Sequence, residues 1–356
     1  MKPNDPYAID ETWDSENPLD AETGTPEADL WFLPGPPEDE PDFPIPGPQA
    51  EPDEGAILVD WAKAEAHHAA KLARVAGQLG ALDERLRRGP EGWRHRLALI
   101  EAAELSWHSG DRISADRLAL WATLRVSSVQ EDGRALIRAG WALRRLSGGP
   151  GPEAGLPEFL GRHDGAADPT DRFTDRAQSW LAVMRAGVDL HPITRACMGL
   201  HLWALAGLAP QGDRLEAAVT AARIAAGEAK AAVFAPLAMG GAGALRAGGD
   251  PVERLARWLD GMNHAILKAM RTVDDIEAWE ARATIAMAPL SGRTPPALRA
   301  ALTAWPLVSA PMAEALTSAS RAAVQRNLAW MEARGLIKEV TGQGRFRMWR
   351  AAVDTA

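Results

Sequence analysis

Cysteine occurs once in these 356 residues, tyrosine once and phenylalanine six times. The lone Cys197 excludes an intramolecular disulfide and a cysteine-based zinc site, and it fits a reducing cytosol. Long apolar runs are missing as well. None reaches the roughly 18 residues a membrane span needs, and no basic-then-apolar leader opens the chain. There is no P-loop, no dinucleotide glycine fingerprint and no His-Glu-x-x-His zinc helix. The pair His67-His68 is expected to turn its rings to different sides of one helix, a poor joint metal site. No cofactor and no metal are expected.

What is present is alanine, leucine, arginine and 14 tryptophans, a composition that favours helices. Charge is segregated. Residues 1–54 hold sixteen Asp plus Glu, one Lys and twelve of the 26 prolines, a net of −15. The whole chain carries −9, so the remainder carries +6. Proline forbids regular helix in that tail, and too little apolar surface is available to offset the entropy of ordering it. A disordered acidic tail is expected, either solubilising or docking a protein partner through Leu30-Trp31-Phe32-Leu33.

From Ile57 the texture turns helical. Ile57 to Arg88 reads as one helix or two, with Leu72, Leu79, Leu82 and Leu86 on the apolar face, ended by Gly89-Pro90. Helices are expected from Pro90 to Trp107, from Ala115 to Leu124 behind a Ser114 cap, and from Gln130 to Leu146. Trp93, Trp107, Trp121 and Trp141 each fall in one of these, where core packing is expected. Residues 152–171 read as a loop with a short helical turn. Further helices are expected at Asp171–Ala186, Pro192–Leu208, Asp213–Leu237 in one or two pieces, and Pro251 to about Met287. The divisions expected are a tail (1–54), an N-terminal helical region (55–150), a helical core ending in the long helix (151–292) and a terminal domain (293–356).

The terminal stretch has the pattern of a winged helix-turn-helix. A first helix runs from Pro296 to Trp305, with Leu298 and Leu302 on one face, and Pro306, Val308 and Ser309 break it. A short second helix starts at Pro311, which suits a first helical position. Ser320 is a natural cap for a third helix through Arg334, whose Val324, Leu328 and Met331 mark the buried face. Gly335 stops it. Two strands follow, Leu336–Val340 and Arg345–Trp349, joined by Thr341-Gly342-Gln343-Gly344. On the face opposite the apolar stripe lie Ser320, Arg321, Ala322, Gln325 and Arg326, where such a helix meets base edges in the major groove. In the hairpin, Gln343, Arg345 and Arg347 are expected to meet DNA, with Arg345, Arg347 and Arg350 forming one cationic strand face towards phosphates. Residues 293–350 hold nine Arg plus Lys against three Glu, a net of +6.

Glu101-Ala102 with Ser106-Trp107-His108-Ser109-Gly110 resembles the Glu-Ala…Ser-Ser-x-Ile-Glu-Gly segment of Fic-type AMP-transferases. That resemblance implies a helical core, a long helix and a terminal winged helix. Their catalytic loop, His-Pro-Phe-x-Asp/Glu-Gly-Asn-Gly-Arg, is not matched: His191-Pro192-Ile193 is followed by Thr194, Arg195, Ala196, Cys197, Met198 and Gly199. The metal carboxylate, the phosphate-cradling glycines and the arginine at its offset are absent, and Ser109 stands where the inhibitory glutamate belongs. A Fic-like core would thus be degenerate and inactive, with His191 capping a helix. Residues 70–350 are similar to an alphaproteobacterial family, common on rhizobial plasmids, that ends in a helix-turn-helix DNA-binding domain. The likeness rests on Ala81-Leu82-Asp83-Glu84-Arg85-Leu86, Glu101 to Leu118, Pro306-Leu307-Val308-Ser309-Ala310 and Thr341-Gly342-Gln343-Gly344-Arg345-Phe346-Arg347.

The expectation is a mainly α protein with a C-terminal winged helix, a transcriptional or plasmid-maintenance regulator without catalytic activity, cytoplasmic and nucleoid-associated. Expected partners are double-stranded DNA, a second copy of the chain as a homodimer, and a protein taken by the acidic tail, which could also compete with DNA; no membrane is expected. The alternatives are a residual nucleotidyl-transferase using His191 and an adaptor whose winged helix binds protein.

Overall fold

The longest helix organises the structure. Asp250 caps it by accepting the Glu253 N–H at 2.8 Å, Pro251 takes its first position, and it runs 37 residues to Met287. At 1.5 Å per residue that is roughly 55 Å. A computed structural model describes residues 54–124, 130–162, 172–209, 213–246, 248–342 and 347–353. The expected acidic tail lies outside the described residues.

Among these residues there are thirteen helices and three short strands. They are α1 (Glu54–His67), α2 (Ala69–Arg88), α3 (Glu91–His108), α4 (Ala115–Leu124), α5 (Gln130–Ser147), α6 (Leu156–Leu160), α7 (Phe173–Ala186), α8 (Pro192–Leu205), α9 (Leu215–Ala225), α10 (Pro251–Met287), α11 (Thr294–Ala304), β1 (Val308–Ser309), α12 (Ala310–Thr317), α13 (Arg321–Ala333), β2 (Ile337–Glu339) and β3 (Met348–Ala351). No helix is long and apolar enough to cross a membrane among the described residues.

Helix α10 buries Leu255, Trp258, Met262, Ile266, Val273, Ile276 and Trp279 against α1, α2, α8 and α11. Gly261 lets the backbone of residues 243–244 come so close that a Cβ there would lie 2.0 Å from Ala244 N. The predicted stripe of α2 is buried in full, with Val75 added. Helix α3 packs on α4, α5 and α11, and most of its residues are buried.

Three expectations need correction. The helix breaks at His68, so His67 and His68 do not diverge; their rings meet edge to face at 4.7 Å, and His68 Nε2 lies 3.0 Å from Val252 O. Trp107 is 51% exposed rather than packed in the core, because α3 reaches its end there. The helix expected to reach Leu237 stops at Ala225. Pro236 disfavours helix at the residue before it, and the loop's amides have other acceptors. Asp83 accepts from the N–H groups of Lys230, Ala231 and Ala232, and Glu101 from those of Leu237, Ala238 and Met239. A loop whose N–H groups are met by buried or half-buried carboxylates loses nothing by leaving the helix.

In the terminal segment the chain order is helix, strand, helix, helix, strand, strand, and the sheet order is β1-β3-β2, all antiparallel. Strand β1 was expected only as a break. It pairs Val308 with Trp349 and Ser309 with Met348. Leu298, Leu302, Val308, Met312, Val324, Leu328, Met331 and Trp349 form the core of this segment.

Candidate functional site

Two caps and a left-handed turn aim α13. Ser309 Oγ accepts the Met312 N–H at the start of α12, and Ser320 Oγ accepts the Ala323 N–H at the start of α13, both at 3.3 Å. Between them Ser318 sits at φ 50, the only non-glycine residue with positive φ among those described. That conformation reverses the chain in three residues. The other end of α13 closes on Gly335, at φ 67. Gly335 N–H bonds to Glu332 O, and Leu336 N–H reaches back to Met331 O, both at 3.0 Å.

With Val324, Leu328 and Met331 fully buried, the opposite side of α13 faces solvent. Ser320, Arg321, Ala322, Gln325 and Arg326 are all exposed there. Apart from the Ser320 cap, none of these side chains has a hydrogen bond or ion pair among the described residues. Two guanidinium groups and an amide thus stand free on one helix face, with the small Ala322 between Arg321 and the Gln325-Arg326 pair letting a surface approach. Further along, Arg334 lies 3.8 Å above the Trp330 ring.

The hairpin side differs from the sequence expectation. Gln343 and Arg345 lie outside the described residues. Arg347 does not present a free charge, because its Nη2 is 2.8 Å from both Glu332 oxygens and its guanidinium is 5.0 Å from the Trp349 ring. Nor does Arg350 share a face with Arg347. Trp349 and Ala351 point into the core, so alternation turns Arg350 outward, 4.0 Å from Asp116 Oδ2. There it stands opposite Lys338 of β2, also exposed. Lys338 was missed in the sequence because only the pairing register puts it beside Arg350. Below the hairpin, Glu339 accepts the N–H groups of Thr341 and Gly342 and the Thr341 hydroxyl. The hydroxyl, first, and then those amides hold its carboxyl below the usual range.

This segment is anchored to the rest of the molecule. Arg96, buried on α3, donates to Leu302 O, to Thr303 O at 2.6 Å and to Trp305 O at 2.8 Å. These carbonyls end α11, so the guanidinium caps that helix and meets the negative end of its dipole. Burial pulls Arg96 down to about 10, which leaves it charged at neutral pH. Trp279 of α10 donates its indole N–H to Leu336 O at 2.6 Å. Residues 52–356 accordingly form one compact unit.

His191, the residue a transferase would use as base, caps α8: its Nδ1 accepts the Ile193 N–H at 3.1 Å. The backbone N–H of His191 donates to Glu65 Oε2 at 3.0 Å. Glu101 is wholly buried under the loop after α9. Burial lifts its carboxyl to about 7, against the opposing pull of three amides. No three His, Cys, Asp or Glu side chains among the described residues gather as a metal site. No protein-family model matches this chain, and no curated protein does either.

Proposed function

We propose that residues 293–356 are a winged helix-turn-helix and that the chain uses it to bind double-stranded DNA as a transcriptional or plasmid-maintenance regulator. The observation that carries this reading is the solvent face of α13, where Arg321, Gln325 and Arg326 stand exposed and unpaired opposite a fully buried stripe. The element order and the return of β1 onto β3 support it, since a winged helix is built in that sequence. In this reading the first turns of α13 enter the major groove. Arginine there can take the two acceptors of guanine, and glutamine the donor and acceptor of adenine. Lys338 and Arg350 serve the phosphates in place of Arg347. A homodimer on two half-sites is the expected binding form.

The test is selection of bound fragments from random DNA by the whole chain at two salt concentrations. Enrichment of one motif, lost on Arg321→Ala with Arg326→Ala, supports a sequence-specific regulator. No binding at either salt sinks the reading and leaves the terminal segment as a protein-binding module.

A further inference from the structure

A pocket of about 80 Å³ lies between α2, α3, the end of α5 and the loop after α9. Its inner wall is apolar, with Leu86, Leu97, Leu146 and Phe234 all buried. Its rim carries charge of both signs. Glu91 and Arg94, one turn apart at the start of α3, line the same space. They form no ion pair with each other or with any other described residue. Arg94 Nη1 donates to Leu86 O at 3.0 Å, which holds the guanidinium at the mouth. Beside them His95 Nε2 is shut off from solvent and has no hydrogen-bond partner among the described residues.

We propose that this pocket binds a small zwitterion with a short apolar side chain, the chemistry of a free aliphatic α-amino acid. Arg94 takes the carboxylate and Glu91 the ammonium, while the His95 ring forms part of the wall. The side chain fills the leucine-lined interior. The volume of the pocket is roughly half that of the ~150 Å³ cavity that holds benzene, which favours a branched aliphatic group over an aromatic ring in its interior. Burial keeps His95 below its ordinary titration range, so Arg94 and Glu91 remain the single cation and single anion of the lining, and a net-neutral ligand suits them. The His95 ring centroid is 4.3 Å from that of Trp305, just past the end of α11. An occupant beside His95 is therefore felt at the end of the first helix of the terminal segment. The inference stands apart from the nucleic-acid reading, because binding itself is what is measured.

The experiment titrates the full chain, labelled with 5-fluorotryptophan, with L-valine, isovalerate, isobutylamine and L-phenylalanine. The Trp305 fluorine resonance is assigned by its loss in Trp305→Phe. L-valine is expected to shift it saturably, with isovalerate and isobutylamine at least about tenfold weaker and L-phenylalanine weaker still. Glu91→Gln, at the exposed rim, is expected to weaken L-valine about tenfold without changing the melting temperature, and Arg94→Gln, which also gives up the bond to Leu86 O, is expected to weaken it about tenfold at a temperature where the variant is fully folded. Absence of a saturable shift at millimolar L-valine overturns the proposal. So does equal binding of isovalerate or isobutylamine, or binding that survives both substitutions.

Discussion

Arg347 and Glu332 are locked together: one guanidinium nitrogen lies 2.8 Å from both carboxylate oxygens, and Trp349 donates to the same carboxylate at 3.2 Å. The pair ties the strand end to the third helix of the terminal segment. Both side chains are about a third exposed, so the pair contributes on the order of 1 kcal/mol or less. Its larger effect is on charge, because Glu332 neutralises a cation that the sequence alone assigns to phosphate.

Glu332→Gln is therefore expected to free Arg347 and tighten binding to every DNA sequence. The slope of log affinity against log salt should steepen by about one phosphate contact. Arg347→Ala should leave that slope nearly unchanged. Fluorescence anisotropy over a salt series reads both, and a flattened slope in Arg347→Ala would show that the arginine reaches phosphate after all.

Base-reading and phosphate-holding residues should separate cleanly. Arg326→Ala is expected to cost about 1–3 kcal/mol on the selected site and little on unrelated DNA. Lys338→Ala should weaken all sequences alike and reduce the salt slope by about one. Equal losses on specific and random duplexes from both variants would reject this division.

Arg96→Met removes the donor that caps α11 and leaves the carbonyls of Leu302, Thr303 and Trp305 without it. A loss of about 2–4 kcal/mol in urea unfolding is expected. Arg96→Lys should recover little, since an ammonium cannot span three acceptors as a planar fork does. Full recovery by lysine would mean that charge, not geometry, is what matters there.

Glu101 gives a pH signature. Its carboxyl is raised from 4.5 to about 7 in the folded chain, with burial as the main cause. Below 4.5 both states hold the proton. Between 4.5 and 7 the folded state binds more proton than the unfolded one, so this group's contribution falls as pH rises. Glu101→Gln carries no such proton, although its amide NH₂ opposes one loop N–H and adds a constant cost. Across that window the variant should gain on the parent by up to about 3 kcal/mol in urea unfolding. Parallel stability curves would show that the three amides keep the carboxyl ionised.

The sequence carried most of the helices because their buried faces repeat locally. Leu72, Leu79, Leu82 and Leu86, or Val324, Leu328 and Met331, can be found without knowing any partner. The solvent face of α13 follows from the same periodicity. What could not be read depends on distant partners. Val308 and Ser309 become a strand only through Trp349 and Met348. The alanine-rich stretch after Ala225 has the propensity of a helix, and acceptors on α2 and α3 decide otherwise. The fate of Arg347 rests on Glu332, which lies in the helix before it, across a hairpin. Arg350 was legible in principle: strand alternation alone places it on the face opposite Arg347.

The loop held by Asp83 and Glu101 implies an order of events in time. Its amides are paired with acceptors 136 to 149 residues earlier in the chain. Before α2 and α3 have come together, it has nowhere to put those groups except water, and closing so long a span carries its own entropy. During synthesis the two helices emerge first and wait as a template, so this segment is the last of that neighbourhood to set.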